Sequence, residues 1–510
     1  MRLLAVLLPS AAVLRFALAI RGGQYFDWDE HRYGFSTLML ARLRAADPGG
    51  MLDILFRYPE HPGFKIAGVV PAALQQWLHP AQAISDMRQF AGEWLAAFLL
   101  SLSSVAAIAL TYAVGRRAGA SERESLFAAF LMFASTSMLM HARHLFPYDL
   151  ALALGLLAVW VALSPSDRIA DSLGAGVLAG AAFSTYFGYW LLAAVAFGIH
   201  VLWQPASIGG TESGGPERSA LQRSALRRLR RATFFGLGLA LVPGLLVGAS
   251  SIPNRPLLPA ARRFAASVTH GQFAEGWSLP WAFFWHAEGL VLVIVVAGIV
   301  LSLRGPGRGP KWAAAAAALY TGLVLGANVF HRFVVYDRLA RPMWPFMCLA
   351  AAAGIAAAAD GRWLAGRRAY GLCTVVLGLF VMNSAPLFTQ RYPREIVHEV
   401  LARYGADQVG FDMTLQHAVD NSTGFLVPAE VPNTPKRYVL VNARDIWFEG
   451  EPGTKPLPAG SVVTTWRHPR QLPLLQYHGY TPAQRAFMRS EDVSIRLIDR
   501  AGAAAAIDHH

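Results

Sequence analysis

Long apolar blocks, each close to the thickness of a bilayer core, alternate with short arginine-bearing connections along residues 1–390. Eleven such blocks stand out, at roughly 3–20, 91–114, 125–141, 149–163, 172–187, 188–203, 232–250, 281–303, 312–330, 343–359 and 371–388. Within them Ala, Leu and Val run on without the polar face of an amphipathic helix, so each block predicts a helix covered by lipid or by other helices. The pattern changes near Tyr392. Arg394 to Tyr404 predicts a helix with Ile396, Val397, Val400 and Leu401 on one face, and Gln408–Phe411, Tyr438–Val441, Val462–Thr465 and Ser494–Ile498 predict short strands. Pro-rich connectors such as 427–432 predict irregular loops between them. The expected architecture is a polytopic all-α membrane bundle over 1–390 and a small α/β domain over 391–510.

The first connection, 21–89, is long enough to fold by itself. Phe35, Leu38, Met39 and Leu43 fall at helical spacing, while the apolar stretch Ile66 to Leu78 is too short to span and holds Pro71. That stretch is expected to lie in the membrane interface or to re-enter.

Composition agrees with a lipid solvent. The 510 residues are 54% hydrophobic and only 15% charged, against about one-quarter charged in soluble domains, which excludes an ordinary soluble enzyme. The net charge of +13 is confined to residues 1–390, because the rest carries 13 basic and 13 acidic side chains. Juxtamembrane arginine accounts for the excess, and nucleic acid is not expected as a partner. With a cytosolic N-terminus, the cytosolic connections hold 16 Arg and Lys in 64 residues and the outer ones 14 in 119, as the positive-inside rule requires. An odd number of spans then places 391–510 outside, in the periplasm of a bacterial inner membrane. Ala17-Leu18-Ala19 has the small-x-small form that a signal peptidase reads, but Arg15 interrupts the apolar run, so a retained first helix is expected. Cys348 and Cys373 both lie in apolar segments, which indicates neither a disulfide framework nor a thiolate metal site.

Candidate chemistry gathers on the outer side. Asp27, Asp29 and Glu30 crowd just beyond the first span, where carboxylates act as a base, as oxygen ligands for a hard cation, or as ordinary helix caps. His61 follows in the same loop. The connection after span three reads His141-Ala142-Arg143-His144-Leu145-Phe146-Pro147-Tyr148-Asp149. Its histidines suit interfacial anchoring better than metal binding, whereas Asp149, opening an apolar helix, needs a partner or water. Near the tenth span, Arg332, Arg338 and Arg341 suit a lipid-linked phosphate or simple snorkelling, with His286, Glu288 and Arg262-Arg263 in reserve. In the C-terminal region Asp412, His417 and Asp420 are spaced like a surface turn.

Asp29-Glu30 with Arg32-Tyr33, His61-Pro62, Arg143 with Asp149, and Arg341 with Pro345 resemble, in order and sidedness, the polytopic GT-C glycosyltransferases. The likeness is to the branch of the protein O-mannosyltransferases and the lipid A aminoarabinose transferase. It implies a GT-C helical bundle of about eleven spans with an extracytosolic C-terminal domain. It also implies transfer of one sugar from a polyprenyl-phosphate donor to an acceptor hydroxyl on the outer face; the acceptor is a lipid, a glycan or a protein, with an envelope lipid or glycan the expectation. On this resemblance Asp29, Glu30 and Asp149 are expected as catalytic residues, with Asp29 as base. Arg143, Arg338, Arg341 and His61 are expected at the donor and its phosphate. A cofactor is not required, although Asp27-x-Asp29 has the form of a divalent-cation pair. Gly63-Phe64 and Tyr186-Phe187-Gly188-Tyr189 depart from the family's Pro-Pro-Leu and Lys-Gly-Pro and leave donor and acceptor identity open. The rival readings are a transporter or flippase of a lipid-linked substrate, which predicts paired ionisable groups inside the bilayer, and a glycan polymerase or ligase using a pyrophosphate carrier.

Overall fold

In a computed structural model of the chain, the described residues are 2–21, 30–57, 59–78, 93–202, 217–259, 262, 279–304, 309–329, 337–357, 367–389, 393–405, 407–411, 436–442, 460–467 and 494–501. Helix α1 (Arg2–Ala19) leads to three helices in the first connection, α2 (His31–Arg44), α3 (Pro48–Arg57) and α4 (Pro62–Leu78). Next come α5 (Glu93–Arg117), α6 (Glu122–Phe133), α7 (Thr136–Met140), α8 (Tyr148–Ala162), α9 (Ile169–Thr185), α10 (Trp190–Leu202) and α11 (Glu217–Ser250). The remainder of the bundle is α12 (Leu279–Glu288), α13 (Leu290–Arg304), α14 (Gly309–Val329), α15 (Asp337–Ala340), α16 (Trp344–Ala357) and α17 (Arg367–Thr389).

The chain is an integral membrane protein. Among the described residues, five helices are long and apolar enough to cross a bilayer, or six if the bent pair α6–α7 is one span. Of the other expected blocks, the one at 312–330 is the continuous 21-residue helix α14 and the rest are helical but shorter or interrupted, and each interruption has a local cause. The block at 125–141 bends by 51° between α6 and α7. Here Ser135 leaves helical geometry and caps α7, its hydroxyl accepting from the Met138 amide. Buried Glu288 completes the break: its carboxylate accepts from Ser135 Oγ (2.6 Å), Thr136 N (2.9 Å) and Ser137 N (3.0 Å), so amides freed at an interior helix start are satisfied. The block at 281–303 divides at Gly289, whose φ of +54° belongs to the left-handed region that glycine adopts without strain.

Helix α4 is an amphipath turned inside out. Lys65 and Gln75 are buried against the protein, while Ile66, Val70, Leu74 and Trp77 are exposed, as expected for a helix with one face on lipid. Elsewhere small residues bring helices into backbone contact. A Cβ at Gly354 of α16 would overlap the carbonyl oxygen of Gly298 in α13, and one at Gly176 of α9 would overlap that of Phe235 in α11.

The C-terminal region follows its predicted elements. Helix α18 (Pro393–Tyr404) buries Ile396, Val397 and Val400 against a sheet of β1 (Val409–Phe411), β2 (Tyr438–Asn442), β3 (Ser461–Arg467) and β4 (Ser494–Asp499). The strand order is β1-β2-β4-β3, with β1 parallel to β2 and the other pairs antiparallel. Asp412, His417 and Asp420 lie outside the described residues.

Candidate functional site

Three segments far apart in sequence converge: the start of α2 with its Glu30 cap, the turn from His141 to the first residues of α8, and the short α15 with the 3-10 turn Arg341–Met343 that opens α16. Glu30 joins the first segment to the second, and between the second and third a guanidinium nitrogen of Arg341 donates to Asp149 Oδ1 over 2.5 Å. Arg341 is fully buried and Asp149 is 4% exposed, so the pair is withdrawn from water, where its mutual attraction is strong and its geometry fixed. Asp149 lies in the first turn of α8, where the amide end of the helix favours a carboxylate. The Arg341 guanidinium also approaches Met138 Sδ at 3.5 Å, which ties α7 to the same point.

Arg338 adjoins this pair through the residue before Asp149. Its guanidinium donates to the Tyr148 hydroxyl (2.9 Å) and lies 5.4 Å from the centre of that ring. Arg15 of α1, buried and bonded to Ser104 Oγ and the Ala11 carbonyl, is within electrostatic reach of Asp149 and Arg341. Its sequence signal was the same interruption of the apolar run that argued for a retained helix.

An aromatic chain extends from Tyr148. Tyr186 meets it edge-on at 4.8 Å and lies 4.8 Å from the His61 ring, and His61 Nδ1 accepts the Phe187 amide at 3.3 Å. His61 occupies the left-handed region with φ +52°, a position held by this bond and by its rings. The segment Tyr186 to Tyr189 thus packs beside His61 and Tyr148 as one wall of the candidate site. Neither Tyr148 nor Tyr186 was a candidate from sequence, since an aromatic at the end of an apolar block reads as an interfacial anchor.

The remaining candidates occupy other contacts. Glu30 is buried, accepts the Leu145 amide at 2.8 Å and faces His144 Nδ1 at 3.3 Å, which fastens the first connection to the one after α7. Arg143 is buried and turned to the C-terminal region, donating to Glu395 at 2.7 Å and to the Leu387 carbonyl at 3.3 Å. Arg32 pairs with Glu60 at 3.3 Å, and the Tyr33 hydroxyl donates to Gln75 Oε1 at 3.3 Å. Of the reserve candidates, Glu288 is the cap of α7 described above. Asp27 and Asp29 lie outside the described residues. Among the described residues no group of three His, Cys, Asp or Glu is arranged to hold a metal.

No protein-family model matches the chain, and no curated protein matches it. Solved structures do. The oligosaccharyltransferase of Archaeoglobus fulgidus, in complex with Zn and sulfate, is similar with 15% identity and a TM-score of 0.48, over 88% of this chain and 70% of that one. The archaeal oligosaccharyltransferase AglB from the same organism, with an inhibitory peptide and a dolichol-phosphate, gives 12% and 0.48 over 88% and 71%. ArnT from Cupriavidus metallidurans, bound to undecaprenyl phosphate, gives 14% and 0.45 over 82% and 74%. At such identities and TM-scores a likeness assigns no substrate and no reaction, so the functional reading rests on the residues themselves.

Proposed function

We propose that this chain is a membrane glycosyltransferase that moves one sugar from a polyprenyl-phosphate donor to a hydroxyl of an envelope lipid or glycan. The observation that carries the reading is the buried Asp149–Arg341 pair with Arg338 on the neighbouring Tyr148. Guanidinium groups held rigidly in a dry site match the non-bridging oxygens of a phosphate, and an oriented carboxylate beside them matches a sugar hydroxyl.

The transfer proceeds in line. Asp29, next to the anchored Glu30, accepts the proton of the acceptor hydroxyl while its oxygen forms a bond to the anomeric carbon from the face opposite the phosphate. The bond from that carbon to the phosphate oxygen breaks, its electron pair stays on the phosphate, and polyprenyl monophosphate leaves with inversion at the sugar. Arg341 and Arg338 stabilise the charge gathering on the departing group, a contribution of about 3–4 kcal/mol in sites of this kind. Glu30 acts as the anchor of the base-bearing loop, and His61 with Tyr186 and Tyr148 forms the wall against which a sugar face packs. These steps require no metal, and a divalent cation, if one binds, would be held by Asp27 and Asp29.

In this reading residues 1–390 form the catalytic unit and 391–510 an outer, periplasmic unit that gates the acceptor, with a cytosolic N-terminus in a bacterial inner membrane. The Arg143–Glu395 contact agrees, since it joins α18 to the same side as Asp149. The test is transfer by Asp29→Asn protein that is folded in the membrane. Loss of transfer with retained donor binding is expected, and transfer at the unaltered rate would overturn the assignment. Release of a pyrophosphate lipid would point instead to a polymerase or ligase.

A further inference from the structure

His141 is 3% exposed, and neither Nδ1 nor Nε2 has a hydrogen-bond partner among the described residues. Leaving a buried polar group unpaired costs about 1–3 kcal/mol, so such a group in a well-packed protein calls for an explanation. Its surroundings supply one. The ring lies edge-on to Phe146 and to Tyr148, both at 5.3 Å, and within electrostatic reach of Arg341, His144 and Arg338. Phe146 offers only ring faces and edges, and the Tyr148 hydroxyl already accepts from Arg338. The 3-10 turn His141–Arg143 also fixes where the imidazole sits, because it follows directly on α7, whose start is pinned by Glu288. An imidazole is therefore held against Tyr148 and within electrostatic reach of Arg341, while no described residue takes up its hydrogen-bonding capacity.

We infer that His141 is a substrate-contacting residue of the proposed transferase, donating a ring N–H to a non-bridging phosphate oxygen of the lipid donor beside Arg341. The inference rests on the glycosyl-transfer reading and adds a contact of different chemistry. A guanidinium supplies charge and two parallel donors, whereas an imidazole supplies one short, directional donor that a lipid phosphate can meet without displacing the Asp149–Arg341 bond. The order of residues makes this economical. Met138 of α7 meets Arg341, Tyr148 at the start of α8 meets Arg338, and His141 in the turn between them packs on Tyr148.

The test measures binding of undecaprenyl phosphate, as a polyprenyl monophosphate probe, to detergent-solubilised full-length protein by thermal shift. Four forms are compared: the unaltered protein, Arg341→Ala, His141→Phe and His141→Gln. Phenylalanine keeps the planar bulk and removes the donor, whereas glutamine keeps a side-chain N–H. Weakening of affinity about tenfold or more in His141→Phe, with most of it restored in His141→Gln, is expected for one lost charge-assisted hydrogen bond. Binding by the unaltered protein that is lost in Arg341→Ala but unchanged in His141→Phe would overturn this inference and leave the transferase reading standing. No binding by the unaltered protein would overturn both.

Discussion

Arg341 and Asp149 are 192 positions apart in sequence, yet a guanidinium nitrogen of one lies 2.5 Å from a carboxylate oxygen of the other in the buried centre of the bundle. Removing either partner strands a charge in a dry site, which typically costs about 3–5 kcal/mol, whereas replacing both with apolar residues of similar volume is close to neutral. Arg341→Met and Asp149→Leu are each expected to lower the unfolding temperature in detergent, and the double variant to recover much of the loss. Transfer activity is expected to be absent from all three. A double variant that regains activity would show that the pair only holds the fold.

Glu30, the residue after Asp29 in sequence, is fastened to the turn that follows α7. Its Oε1 accepts the Leu145 amide and its Oε2 faces His144. Glu30→Ala leaves that buried amide without its acceptor, at a cost of about 1–3 kcal/mol, and removes the contact between the start of α2 and the turn after α7. Single-turnover kinetics are expected to show a fall in transfer rate with little change in donor affinity. A fall in donor affinity alone would assign Glu30 to the donor instead.

The bundle and α18 meet through Arg143 and Glu395. Glu395→Gln removes the charge that faces a fully buried guanidinium, and faster amide hydrogen exchange in Pro393–Tyr404 is expected. Exchange unchanged across α18 would show that the apolar face of that helix alone holds it in place.

Lys65 of α4 gives a pH signature. Burial, with Arg32 adding to it and Glu60 opposing it, lowers its ammonium from 10.5 to about 7. Because the folded pKa lies below the unfolded one, the cost of burying the charge is fully present below about pH 7 and falls away as pH rises towards 10.5. Unfolding temperature is therefore expected to gain a contribution that rises over that window, and Lys65→Met to flatten it. An identical slope in the variant would exclude Lys65 as its source.

A chelator is expected to leave transfer unchanged, since no step is assigned to a metal. Loss of activity in EDTA, restored by a divalent cation, would give Asp27 and Asp29 the role of cation ligands.

What the sequence determined by itself was whatever depends on local pattern. Apolar runs marked where helices meet lipid or each other, and α18 buries Ile396, Val397 and Val400 of the face that spacing predicted. The four strands lie where alternation placed them, within a few residues, and the short apolar run holding Pro71 forms α4 with Ile66, Val70, Leu74 and Trp77 exposed. Individual site residues were visible too, because a carboxylate such as Asp149 is conspicuous in an apolar block. Their partners were not. Hydrophobic period reports whether a residue is buried, not what it is buried against, so the pairing of Asp149 with Arg341, of Glu30 with His144 and of Arg143 with Glu395 waited for the folded chain. The same holds for the bend at Ser135, where a carboxylate 153 residues away supplies the missing hydrogen-bond acceptor. In a dry interior each polar group must find a partner wherever the fold brings one, and only the tertiary structure decides which it is.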